Sequence, residues 1–310
     1  MPATFILSWD CEGKWGVADN ITPFVKAHYI NEKLNPVYDR ILALLERYSI
    51  PATFAFVGAH TFSPDEYKKR RDLFPMQDPW FRFFHEDARH ERFDGWLNPL
   101  AFEKVLKHPQ HEIASHGFSH RPLCESLATK EQAAFEFASI RKLSAFRDAL
   151  TFIYPRNLVG HVNELSQHGF VGYRAGTQKV RSPWQRMAAL VEEWLPWRAA
   201  EAPSFSSAPT EIPSGHIINW RFGLRASVPE KLTVYKVQSA LNDAEKRDGV
   251  VHLWSHPHNF VTGKDMFSLF ERILEAVSES RKRHGLQLMT QLSYVRSQAP
   301  SSPVAAEGTH

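Results

Sequence analysis

Along the chain, short apolar runs rich in β-branched and aromatic residues alternate with longer stretches whose apolar residues recur at helical spacing. This is the pattern of βα units laid against a mostly parallel sheet. It predicts strands at Thr4 to Ser8, Ala52 to Val57, Glu112 to Ser115, Thr151 to Tyr154, Val171 to Arg174, Val250 to Trp254 and Leu286 to Thr290. Helices are expected at Val37 to Tyr48, Lys130 to Arg147, Val159 to Gln167, Val234 to Lys246 and Lys264 to Arg283. Thr129 followed three residues later by Gln132 reads as a capping box and marks the start of the second helix.

Two stretches interrupt the alternation, at about 62–102 and 182–220. The first carries Phe74, Trp80, Phe81, Phe83, Phe84, Phe93 and Trp96, and the second carries Trp184, Trp194, Trp197, Phe205 and Trp220. Long connections of this kind serve either as lids and binding loops or as a secondary packing layer, since aromatic rings dominate cores. Residues 298–310 are rich in Pro, Ser and Ala and are expected to form a disordered tail.

Composition narrows the class. With 310 residues and 43% hydrophobic content, the chain can bury one large core, so a single α/β catalytic domain over 1–297 is expected. Lys plus Arg number 37 against 34 Asp plus Glu, which is near balance and gives no phosphate-neutralising patch, so nucleic acid is not an expected partner. The denser basic clusters, Lys68 to Arg71 and Arg281 to Arg283, read as solvated helix faces. Residues Thr4 to Leu7 open the first strand without the features of an export signal. No apolar run approaches the roughly 20 residues of a membrane-spanning helix, so a cytoplasmic location is expected. Two cysteines, Cys11 and Cys124, are too few for a disulfide framework.

The candidate chemistry gathers at predicted strand ends. Ser115-His116-Gly117-Phe118-Ser119-His120 follows an apolar run, and two histidines four apart can present both imidazoles to one cation. The spacing alone is weak among 16 histidines, but α/β barrels build their sites at the C-terminal ends of strands. The first strand runs into Ser8-Trp9-Asp10-Cys11-Glu12-Gly13, where two acids spaced by one residue offer one carboxylate to a metal and another to water. A late strand runs into Ser255-His256-Pro257-His258-Asn259, whose imidazoles titrate near neutrality and can protonate a leaving amine, while His252 within that strand reads as a core histidine. In Tyr154-Pro155-Arg156-Asn157, the arginine after a strand can orient a carboxylate bidentately.

The acidic strand end, Ser-His-x-x-x-His, Pro-Arg-Asn and His-Pro-His-Asn, in this order from Phe5 to about Tyr294, resemble the polysaccharide deacetylase family, with its NodB-homology fold and the fourth carbohydrate esterase family. Pro51-Ala52-Thr53-Phe54 with Val57-Gly58 resembles that family's second strand. The resemblance implies a distorted, seven-stranded (β/α) barrel and one divalent metal, usually zinc, with cobalt, manganese or iron as alternatives. Carried over, it implies Asp10 as catalytic base, Glu12, His116 and His120 as metal ligands, Arg156 as the arginine that orients the base, and His256 as proton donor with His258 in reserve. Cys11 between the two acids departs from the commoner adjacent pair and leaves open which acid binds the metal. Trp9, Tyr154, Asn157, Arg174 and His258, at or beside strand ends, are candidate substrate-binding residues, with Trp80 and Trp96 as candidate sugar platforms. The implied reaction removes an N-acyl group, acetyl foremost, from an amino sugar or sugar-linked small molecule, such as a precursor of surface polysaccharide. Deformylation or cleavage of other linear or cyclic amides, and non-catalytic carbohydrate binding around a structural metal, are the alternative readings.

Overall fold

The structure is a computed structural model and describes residues 2–176, 196–201 and 209–298. Among the described residues, nine parallel strands form one curled sheet: β1 (Thr4–Cys11), β2 (Thr53–Phe56), β3 (Glu112–Ser115), β4 (Thr151–Ile153), β5 (Gly172–Arg174), β6 (Thr210–Ile212), β7 (His216–Ile217), β8 (Val250–Ser255) and β9 (Gln287–Met289). Their order is β6-β5-β4-β3-β2-β1-β8-β7, with β9 added beside β1. Helices cover the outside, so the central strands are buried on both faces and read as near-continuous apolar runs.

The ring is completed by one broken stave. Thr210–Ile212 pairs with β5, and after three intervening residues His216–Ile217 pairs with β8 on the opposite edge. The chain crosses between the edges at Pro213-Ser214-Gly215, where a Cβ on Gly215 would lie 2.1 Å from the His252 carbonyl oxygen and the backbone φ is +68°. Only glycine fits that crossing. Counting β6 and β7 as one stave and setting β9 aside, the nine strands make seven staves, the expected distorted (β/α) barrel.

The pleat divides β1 between two environments. Trp9 packs among Phe54, Phe260 and Phe270, on the helix-covered side. The side chains of Ser8 and Asp10 instead meet Arg174 from β5, on the other side of the sheet, inside the barrel. At the opposite end of the barrel, Glu112 accepts from the hydroxyls of Thr53 and Thr151 and from the backbone N–H of Leu292, and so caps the helix Gln291–Gln298. Burial pushes the Glu112 carboxyl up against these hydrogen bonds.

Helix boundaries follow local signals. The Thr129/Gln132 capping box forms in both directions, 2.9 and 3.3 Å, and starts the helix Lys130–Arg141; the chain then tightens into a single turn at Ser144–Phe146 rather than continuing to Arg147. The helix Asn31–Tyr48 begins six residues before the expected Val37, because Pro36 in its second turn removes a donor without ending it. In the interruption at about 62–102, the rings of Phe74, Phe81, Phe84 and Trp96 close around Trp15 at centroid distances of 4.9 to 6.2 Å, so this segment is chiefly a packing layer. In the second interruption, Trp197 stacks on His216 and Trp220 on Phe222, while Trp184, Trp194 and Phe205 lie outside the described residues, as does the tail beyond Gln298.

Candidate metal centre and active site

β1, β3 and β8 bring their C-terminal ends to one mouth of the barrel. The Glu12 Oε2 atom lies 3.2 Å from His116 Nε2 and 2.7 Å from His120 Nε2. The ligand atoms of Glu12, His116 and His120 all lie within 4.8 Å of one another, and the three side chains are buried. His116 Nδ1 is 2.8 Å from the Ile153 carbonyl oxygen, which can only accept, so Nδ1 carries the hydrogen. In neutral His116, Nε2 therefore turns a lone pair toward a carboxylate oxygen. His120 Nε2 faces the same oxygen, and His120 Nδ1 has no hydrogen-bond partner among the described residues.

The His116 lone pair and the Glu12 carboxylate, facing each other in a buried site, repel unless a cation lies between them, and the His120 imidazole closes on the same point. The edge of a tetrahedron of zinc ligands with arms near 2.1 Å is about 3.4 Å, close to the His116–Glu12 separation. The donor set therefore fits a divalent metal held by two histidines and one acid. Burial alone would raise the Glu12 carboxyl, but the charges of His120 and His256 hold it well below the usual carboxylate range, so it is an anion ready to ligate.

The loop between the histidines is shaped by a residue absent from the sequence prediction. Glu136, on Lys130–Arg141, accepts from the backbone N–H groups of Phe118 and Ser119, 2.8 and 2.9 Å, and from the Ser119 hydroxyl. Gly117 and His120 both adopt positive φ, +79° and +62°, which turns the two imidazoles toward one point. No sequence signal separates Glu136 from the other charged residues of its helix, since it becomes visible only when the helix is docked.

Asp10 lies beside the three donors, its Oδ2 3.9 Å from His116 Nε2. Its carboxylate is clamped by Arg174, with Nη1 2.8 Å from Oδ1 and Nη2 2.6 Å from Oδ2. Burial works to raise the Asp10 carboxyl, but the Arg174 guanidinium, followed by His116, holds it below its ordinary value. The remaining N–H groups of Arg174 bond Ser8 Oγ and Asn157 Oδ1, and the Trp254 ring lies 4.4 Å from its guanidinium carbon. The guanidinium that orients Asp10 is thus that of Arg174, assigned to substrate from sequence, while Arg156 is ion-paired at 2.5 Å with Asp19 on the rim. Asn157 contacts Arg174, and both Arg156 and Asn157 have left-handed backbone, φ +57° and +54°, which turns the arginine outward.

His256 Nε2 is 3.7 Å from Glu12 Oε1 and 3.9 Å from Asp10 Oδ2, at the open side of the site. His258 stacks between Tyr29 and His256, and burial lowers its pKa to about 3, so it stays neutral across the ordinary pH range.

Three of the sequence-based substrate candidates point elsewhere. Trp9, Tyr154 and Trp96 are fully buried. Trp9 faces the helices, Tyr154 packs against Phe152 and Tyr173, and the Trp96 Nε1 donates to Asp87 at 2.9 Å within the aromatic layer. None of the three meets the mouth, because strand parity turns the first two outward and the third fills the core. Trp80 is half-buried beside the metal loop, donating from Nε1 to the Ser119 carbonyl at 2.8 Å, with the guanidinium carbons of Arg121 and Arg156 5.6 and 5.7 Å from its ring.

Residues 27–153 match the family described as polysaccharide deacetylase, a span that includes His116 and His120 but not Asp10, Glu12, Arg174 or His256. A search of curated protein sequences gives no match. Among solved structures, a protein of Mycobacterium smegmatis described as a polysaccharide deacetylase is similar at 14% identity and a TM-score of 0.54, over 98% of this chain and 99% of that one. One described likewise from Pseudomonas aeruginosa PAO1 is similar at 11% identity and a TM-score of 0.56, over 94% and 89% of the two chains. At these identities the likeness is one of fold.

Proposed function

We propose that this chain belongs to the polysaccharide deacetylase family, whose pattern residues 27–153 match, and is a metal-dependent hydrolase that removes an N-acyl group, acetyl foremost, from an amino sugar. The observation that carries the reading is the convergence of two imidazole Nε2 atoms on the Glu12 carboxylate, with a second, arginine-clamped carboxylate beside them. Glu12, His116 and His120 would hold the cation, which when bound supplies Lewis-acid polarisation of an acyl oxygen and of water.

The chain's own groups account for the proton movements. Asp10, kept ionised by Arg174, accepts the proton of the attacking water through a carboxylate oxygen that faces the site. Protonation of the departing amine falls to His256 rather than His258, because His256 is partly open to solvent whereas His258 is held neutral by burial. The product is a free amine and a carboxylate. Half-buried Trp254 and Trp80 at the mouth offer faces to a pyranose ring, in place of the buried Trp9 and Trp96. Zinc is the metal proposed, and a soluble or lipid-linked N-acetylated sugar destined for surface polysaccharide is the substrate class proposed.

The test is a release assay on N-acetylated, N-formylated and cyclic-amide substrates with wild type and Asp10→Asn. Acetate release by wild type that falls by about 10²-fold or more in the variant, at unchanged metal content, supports the reading. Selective formate release would move the reading to a deformylase, and equal inertness of both proteins with retained sugar binding would move it to a binding protein.

A further inference from the structure

Behind the clamped carboxylate runs a line of hydrogen bonds whose polarity is fixed by its chemistry. His252 Nδ1 is 2.6 Å from the Pro213 carbonyl oxygen, which only accepts, so Nδ1 is the protonated nitrogen. His252 is buried, and desolvation keeps it neutral, with a pKa lowered to about 3. A neutral imidazole with Nδ1–H has only a lone pair on Nε2, and that atom is 2.9 Å from Ser8 Oγ. The Ser8 hydroxyl must therefore donate to His252, which leaves its oxygen as an acceptor for Arg174 Nη1 at 3.2 Å.

Arg174 has five N–H donors, and each has a place. Nη1 serves Ser8 Oγ and Asp10 Oδ1, Nη2 serves Asp10 Oδ2 and Asn157 Oδ1, and Nε serves Asn157 Oδ1. The guanidinium can rotate only by breaking several bonds at once.

We propose that Ser8 and His252 are positioning residues that, through Arg174, set the orientation of the Asp10 carboxylate, and that they tie it to the closing stave of the barrel at Pro213. His252 is thus more than a packed core histidine. Its Nδ1 bonds the crossing where β6 passes to β7, and its own carbonyl oxygen is the atom that requires Gly215. The stave that closes the barrel and the carboxylate that takes a proton share one hydrogen-bonded line.

The catalytic part of this proposal rests on the deacylase reading, so its test includes a readout that needs no turnover. In protein with 15N-labelled histidine, His252 shows the Nδ1–H tautomer between about pH 5 and 8, and Ser8→Ala shifts its Nε2 resonance. In turnover, Ser8→Ala and His252→Phe each lower kcat about tenfold, with KM and bound metal within about twofold of wild type. His252→Gln, whose amide can both donate and accept, recovers most of that loss, and in an Arg174→Lys background neither substitution lowers kcat further. An Nε2–H tautomer for His252, or losses that add in full to that of Arg174→Lys, would overturn the proposal. If wild type releases no acyl group while the tautomer is as stated, the deacylase reading falls and the hydrogen-bond line stands.

Discussion

Arg174 grips Asp10 with two parallel hydrogen bonds, 2.8 and 2.6 Å, from a strand on the far side of the barrel, and both side chains are buried. A buried carboxylate beside further acidic and imidazole groups would otherwise take up a proton. The clamp keeps it anionic and fixes which lone pairs face the mouth.

Arg174→Gln is therefore expected to lower kcat by about 10²-fold, because it leaves Asp10 both unpaired and free to turn. Arg156→Gln removes an exposed pair with Asp19 and a contact over the Trp80 ring, neither of which reaches Asp10, so kcat stays within about threefold of wild type. Steady-state kinetics of the two variants separate the arginines; similar losses in both would return the orienting role to Arg156.

Much of this site was legible before any fold was known. Asp10, Glu12, His116, His120 and His256 all stand at ends of runs that read as strands, and parallel βα units bring such ends to one mouth. The arginine was not, because adjacency to Pro155 favoured Arg156, whereas the left-handed turn at Arg156 and Asn157 sends that side chain to the rim. Parity held a usable signal: if Asp10 faces inward, Trp9 faces the helices, and if Arg174 faces inward, its neighbour Tyr173 does not. The short strands Thr210–Ile212 and His216–Ile217 escaped because three and two residues around a Pro-Ser-Gly crossing give no period to read.

Glu136→Gln should loosen the loop that carries both histidines, since one of the two oxygens that accept its three hydrogen bonds becomes an amide nitrogen that cannot accept. Metal affinity is expected to fall about 10- to 100-fold, with a stability loss on the order of 1–3 kcal/mol. Competition with a chelator and thermal melting measure the two effects, and unchanged metal affinity would remove Glu136 from the account of the site.

Trp96→Ala and Trp80→Ala should separate packing from substrate contact. Trp96 is fully buried against the rings of Trp15 and Phe84, so its truncation costs about 3–5 kcal/mol in stability. Trp80 is half-buried at the mouth, so its loss raises KM severalfold with a smaller fall in melting temperature. The reverse pattern would place the sugar platform in the core-side ring.

Acid should destabilise the fold through histidines buried in neutral form. Burial lowers the pKa of His60 and His111 to about 4 and that of His252 to about 3, against 6.5 when exposed. Between pH 6.5 and about 4 the unfolded chain binds protons that the folded chain refuses, so stability is full above that window and falls as pH drops through it. The loss is on the order of 1–3 kcal/mol for each such histidine. Melting temperature against pH checks this, and a flat profile from pH 7 to about 4.5 would contradict it.

The central claim is that Glu12, His116 and His120 together hold one divalent ion. Elemental analysis of dialysed wild type and of the double variant His116→Ala/His120→Ala tests it most directly. About one equivalent of metal in the wild type and less than about a tenth in the variant is the predicted result; equal metal content in the two proteins would contradict it.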